Sequence, residues 1–161
     1  MFQIFFIALA LIGASIHLAL SLRARRSAAS VAGLFLLYLL AIYVGAMGIF
    51  TAVFHLAFPA QTSASIGWAP SPYEWEVGIA DLSMGILGVL CIWLRGDFWL
   101  ATVIANCIWF LGDAAGHIRQ MLEYHDYAPN NSGIFLYAEI MTPLIMLLLV
   151  LYHRRKTAAP D

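Results

Sequence analysis

Charge is confined to a few places in this chain. Of its eight Lys and Arg residues, seven fall at three positions: Arg23, Arg25 and Arg26; Arg95; and Arg154, Arg155 and Lys156. Between them run apolar segments long enough to cross a bilayer. A hydrocarbon core of ~30 Å takes about 20 residues of helix. Charged residues make up only 11% of the 161 positions, and hydrophobic residues 63%. A water-soluble domain carries about 25% charged residues. This chain cannot cover a water-facing surface, so its solvent is lipid.

Five segments meet the length requirement: 2–22, 31–58, 73–94, 98–120 and 134–152. The expected fold class is therefore all-α, a single transmembrane domain over 1–161 built as an integral membrane bundle of five helices. The first segment is apolar from Phe2 and is followed by the basic cluster. A secretory signal peptide has the reverse order, so the segment reads as a retained helix. Basic residues in short loops favour the cytoplasmic side. An N-out, C-in arrangement places seven Lys and Arg inside and only Arg119 outside. The expected location is the inner, cytoplasmic membrane, with the bilayer as principal partner and a second copy or another membrane protein as a further one. The net charge of −1 and the lack of a basic patch exclude nucleic acid. Cys91 and Cys107 lie inside apolar segments and form no CxxC pair, which suggests neither a disulfide framework nor a zinc site.

The connections are a basic turn near 23–30, a Pro-containing loop at 59–71, the turn Arg95-Gly96-Asp97, and a polar loop at 121–133. Ser71-Pro72-Tyr73-Glu74 fits a capping box, with Ser71 as N-cap and Glu74 at N3. Glu74 is accordingly read as structural. Trp68, Tyr73 and Trp75 are expected at the outer interface and Trp99 at the inner one. His125 and His153 read as solvated loop residues.

The ionisable residues inside the apolar segments fall at one level. Asp81 lies roughly 8–12 Å below the outer end of the third segment, Asp113 and His117 about 10 and 5 Å below that of the fourth, and Glu139 about 8 Å below that of the fifth. His55 is one turn from the outer end of the second. Intramembrane charge costs at least ~2.5 kcal/mol per residue, and such groups face the bundle interior. Asp113 and His117 are i and i+4 on one helix face, and Asn106 and Gln120 extend that stripe. Glu76 and Asp81 are about 140° apart on their helix. Asp81 shares a stripe with Gly85 and Gly88 and is expected to point inward. Gly45-x-x-Gly48, Gly85-x-x-Gly88 and Gly112-x-x-x-Gly116 are expected to let helices approach closely. Pro143 removes the N–H that would bond the carbonyl of Glu139.

These residues point to an outer-leaflet pocket of His55, Asp81, Asn106, Asp113, His117, Arg119 and Glu139, roofed by 59–71 and 121–133. Asp81, Asp113, His117 and Glu139 are the candidate metal ligands. Oxygen and imidazole ligands of this kind suit iron, manganese or zinc, and helical bundles build carboxylate–His centres on facing helices. The di-metal signature Glu-x-x-His is absent, so the spacing Asp-x-x-x-His is permissive and not diagnostic.

Four other readings compete. A carboxylate beside an imidazole serves an enzyme acting on a lipid or periplasmic substrate. Intramembrane Asp, Glu and His also mark proton or ion paths of a transporter subunit. Haem ligation by His55 and His117 is weaker, because both lie near the outer edge. A hydrogen-bond network that only fixes packing is the plainest reading, although membrane hydrogen bonds average only ~0.6 kcal/mol.

The stretches Ile66–Gly78, Gly112–Met121 and Ala128–Gly133, followed by Glu139 and Pro143, resemble a family of small uncharacterised prokaryotic membrane proteins classed as a domain of unknown function. The resemblance covers roughly residues 30–152. It implies a polytopic inner-membrane protein whose hallmarks are the segment ending at His117 and the outer loops. Asp113 stands where that family is expected to carry a small residue, so His117 is the candidate that transfers best.

Overall fold

The computed structural model describes residues 2–21 and 27–158. The cluster Arg23, Arg25 and Arg26 lies outside them. The described residues are helical with short connections: α1 (Phe2–Leu20), α2 (Ala28–Ala57), α3 (Pro59–Ser65), α4 (Tyr73–Leu90), α5 (Asp97–Tyr124) and α6 (Ile134–Ala158). Four of these, α1, α2, α5 and α6, are long and apolar enough to cross a membrane. The fifth expected segment, α4, carries Glu74, Glu76 and Asp81 in 18 residues and falls short on composition.

Local chemistry sets the boundaries. Ser27 caps α2, its hydroxyl accepting the Ser30 N–H at 3.1 Å. Pro59 opens α3 in the first turn, where its missing N–H is not needed. The expected loop at 59–71 thus contains a helical turn pair. α5 runs past residue 120 to Tyr124 and ends on His125, a left-handed cap with φ 55°. α6 continues through Pro143 and past residue 152, which carries His153 into the helix. His153 is half-buried there, its Nδ1 2.8 Å from the Ala29 carbonyl, and is no solvated loop residue.

α2 is the central helix, contacting α1, α4, α5 and α6. Its middle turns, Leu39–Ala46, are π-helical. The closest pairing is α2 with α4, and small residues make it so. A Cβ on Gly88 would lie 2.5 Å from the Gly45 nitrogen and 2.6 Å from the Leu40 carbonyl oxygen; one on Gly48 would lie 2.9 Å from the Gly85 Cα. These helices touch backbone to backbone, as expected for the Gly45/Gly48 and Gly85/Gly88 pairs. Gly112 and Gly116 behave otherwise. A Cβ on Gly112 meets nothing within 4 Å, and one on Gly116 meets only the Trp68 ring at 3.8 Å. Among the described residues no helix comes into contact at these two glycines, so they open space instead of closing it.

The core holds Leu36, Leu40, Tyr43, Val103, Met146 and Val150. Large apolar side chains also point outward: Phe5, Ile12, Leu20, Ile108 and Leu148 are more than half exposed. A surface of this composition suits hydrocarbon and not water. At one end of the bundle Arg154 reaches Asp97 at 2.5 Å, and Arg95 lies over the Trp99 ring at 4.9 Å. Trp99 is not an exposed interfacial ring as expected. It is buried, and its N–H donates to the Cys91 carbonyl at 2.8 Å. The other end, where α2 stops and α4 and α6 begin, carries the polar site.

Candidate functional site

Two linked clusters form at that end. The first surrounds His117 on α5. Its neighbour Asn131, in the loop before α6, is fully buried. The Asn131 amide nitrogen donates to the Asp126 carbonyl at 2.8 Å, and lies 3.4 Å from the His117 carbonyl. Its Oδ1 accepts the Trp68 indole N–H at 3.0 Å. An indole nitrogen only donates, so the amide orientation is fixed. The same Oδ1 lies 2.7 Å from His117 Nδ1. That ring nitrogen carries a proton, so in the neutral imidazole Nε2 is the basic nitrogen. Nε2 faces Glu139 Oε2 at 3.7 Å.

Glu139, on α6, is 1% exposed, and its Oε2 has no hydrogen-bond partner among the described residues. Asp113, one turn before His117, completes the group: one ligand atom from each of Asp113, His117 and Glu139 lies within 4.8 Å of the other two. α5 supplies two members because i and i+4 share a face. α6 supplies the third because it packs along α5.

The second cluster surrounds His55 near the end of α2. Its Nδ1 lies 2.6 Å from Glu74 Oε2, and its Nε2 3.9 Å from Asp81 Oδ2. Asp81 accepts the Trp109 indole N–H at 3.1 Å. The buried hydroxyl of Ser63 on α3 donates to Glu74. The expected capping box is therefore only half formed. Ser71 Oγ accepts the Tyr73 N–H at 3.2 Å, but the Glu74 side chain turns away from the helix start to hold His55 and Ser63.

The clusters share cavities. One of about 70 Å³ is lined by Gln3, His55, Asp81, Asn106, Asp113 and Glu139. Another, of about 120 Å³, joins His55, Glu74 and Asp81 to Asp113, His117 and Trp68. On the first, Gln3 Oε1, Asn106 Oδ1 and Glu139 Oε2 are buried oxygens without a hydrogen-bond partner among the described residues. Buried acceptors are rarely left this way, and three on one small cavity make a site that attracts positive charge or proton donors.

Of the expected pocket residues, the bundle brings together His55, Asp81, Asn106, Asp113, His117 and Glu139. Arg119 is not among them: its side chain is 70% exposed and pairs with Glu123 at 2.9 Å along the helix. Among the expected metal ligands, Asp81 is held apart from the three-residue group, engaged by Trp109 and His55. The roof is as expected, with a tie between its two loops. Gly67 takes φ 81°, and a Cβ there would lie 2.6 Å from the Asp126 carboxylate. Sequence reasoning missed Gln3, Ser63, Trp68, Glu74 and Asn131. Only Gln3 carried a clear signal, a lone amide at the start of an apolar segment. It lies against the Glu139 carboxyl, so α1 also takes part in the site.

A family model described as "Family of unknown function (DUF6790)" matches residues 1–159. No curated protein and no solved structure matches the chain.

Proposed function

The chain belongs to this family of unknown function, and we propose that it is a small multi-pass protein of the cytoplasmic membrane that holds a divalent cation at Asp113, His117 and Glu139. The observation that carries this reading is the geometry of His117. Asn131 fixes its proton on Nδ1, and the free Nε2 points at an unpartnered, buried carboxylate oxygen. Histidine ligands are commonly oriented in this way, through an N–H bond to a second group behind the ring. Charge supports the same reading. Two carboxylates and a divalent ion sum to zero, which relieves the cost of burying like charges away from water. One nitrogen and two oxygens suit manganese, iron or zinc, with coordination positions left for the nearby amide oxygens or a bound ligand.

In this reading α4 is a fifth span. Glu74 and Asp81 turn toward His55, Ser63 and Trp109, which takes two of its acids away from lipid. The N-terminus is outside, and the site lies in the outer leaflet. A proton-relay role is the second reading, favoured by His55 standing between Glu74 and Asp81 on a cavity that reaches Asp113.

The test is elemental analysis of detergent-purified protein reconstituted separately with manganese, iron and zinc. Metal is expected in stoichiometric amount, lost in His117→Ala and in Glu139→Gln. Absence of metal after all three reconstitutions, or retention in both variants, overturns the reading and leaves the proton relay or a packing network.

A further inference from the structure

A third cavity opens sideways out of the bundle. It measures about 290 Å³ and is bounded by Phe2, Phe50, Phe54, His55, Thr62 and Ser65, among others. That is near the lower end of ligand pockets, about 300 Å³. Its lining is graded. Along α2, the Phe50 and Phe54 rings meet in a tilted contact at 4.7 Å, and both line the cleft. Phe2 of α1 closes the other wall, 5.9 Å from Phe50. These rings lie one helical turn apart, and Phe50 and Phe54 are 38% and 42% exposed on the outer face. At the head of this ladder the lining turns polar, with His55 on α2 and Thr62 and Ser65 on α3. The Thr62 hydroxyl donates to Phe54 and Phe58 carbonyls and that of Ser65 to the Thr62 carbonyl. Both oxygens keep lone pairs for an incoming donor.

The cleft also communicates with the interior. Phe2 and His55 line it together with both cavities of the polar site. A molecule lying along the phenylalanine ladder would place its polar end at His55, before the carboxylates of Glu74 and Asp81.

We infer that this cleft is a lateral binding site for a membrane lipid with an uncharged, hydroxyl- or carbonyl-bearing headgroup. The aromatic wall takes the chain and the His55–Thr62–Ser65 rim takes the head. Charge selects the class. Among the described residues no Lys or Arg lines the cleft, and Glu74 and Asp81 stand directly behind His55. An anionic phosphate head would find no described Lys or Arg there and would face carboxylates, a like-charge juxtaposition that disfavours it. The cleft stands independently of the metal reading, since none of Asp113, His117 and Glu139 lines it.

The experiment uses full-length protein in lipid nanodiscs. It compares two photoprobes with the same diazirine-bearing acyl chain, a monoacylglycerol and a lysophosphatidic acid, and maps adducts by mass spectrometry. The neutral probe is expected to label the 50–65 segment, exceeding the anionic probe by at least about tenfold. Ser65→Trp and Gln61→Trp, each at an exposed position on the rim, are expected to abolish that labelling. Labelling of the outer face of α1 at Phe5 and Ile12 should remain in both. Chelator-treated protein should give the same preference, so a failed metal site and a failed lipid site are told apart. Equal labelling by the two probes, labelling spread evenly over all lipid-facing helices, or full labelling in both rim variants overturns the inference.

Discussion

Asn131 decides what His117 can do. It presents an oxygen to Nδ1 because its own nitrogen is committed to the Asp126 carbonyl and Trp68 donates to the same oxygen. Replacing it by leucine removes the acceptor for two N–H groups and frees the imidazole to change tautomer or rotate. Partners of this kind are worth 10–100-fold in metal affinity. Asn131→Leu is therefore expected to weaken manganese or zinc binding by about that factor, measured by competition with a chromogenic chelator. Unchanged affinity would mean that Asn131 holds only the loop. The pairing of Asp113 with His117 was legible in the sequence because four residues on a helix make one face. The roles of Asn131 and Glu74 were not. Each satisfied a local pattern, a turn former and a cap, and local patterns hide long-range use. Glu74 meets His55 from 19 residues away. Arg119 shows the converse error. Its depth in the sequence suggested the pocket, but two residues on from His117, about 200° round the helix, it lies on the outside beside Glu123.

At the scale of the helix, glycine spacing marks close packing only where a second helix presents small residues in return. Gly45 and Gly48 meet Gly85 and Gly88, and this pair sets the distance between His55 on α2 and Asp81 on α4. Gly88→Ala would place a methyl 2.5 Å from a backbone nitrogen and 2.6 Å from a backbone oxygen, neither of which can swing aside. Overpacking costs about 1–3 kcal/mol in well-packed cores. The expected outcome is a clear fall in the thermal unfolding midpoint in detergent and loss of the α2–α4 contact. Gly112→Ala has free space and gains helix propensity, up to about 1 kcal/mol, so its midpoint should hold or rise. Equal behaviour of the two variants would refute the assignment of α2–α4 as the tight pair. The Gly112–Gly116 spacing looked the same in the sequence, since spacing records one surface and never the partner. The π-helical turns at Leu39–Ala46 were likewise silent. No proline marks them, and they lie where Gly45 comes against Val89 and Gly88.

Across the whole molecule, charge and burial divide the two ends. The end with Arg95, Arg154 and Asp97 is tied by surface pairs, and the end with His55, His117 and Glu139 is sealed by buried ones. In the proposed orientation, with basic residues toward the cytoplasm, the polar site lies outside and α4 crosses as a fifth span, although its composition keeps it out of the four helices apolar enough to span. Cysteine accessibility reads this directly. The native thiols, Cys91 and Cys107, are buried and give little background. Ala69, Trp93, Tyr127 and Thr157 are exposed; the first three lie in the connections around α4 and α5, and Thr157 in the last turn of α6. Single substitutions Ala69→Cys and Tyr127→Cys should react with a membrane-impermeant maleimide in intact spheroplasts. Trp93→Cys and Thr157→Cys should react only after the membrane is opened. If Ala69 and Trp93 react from the same side, α4 lies in the interface and the molecule has four spans. If the whole pattern inverts, the polar site faces the cytoplasm, and any metal or lipid it takes comes from that leaflet.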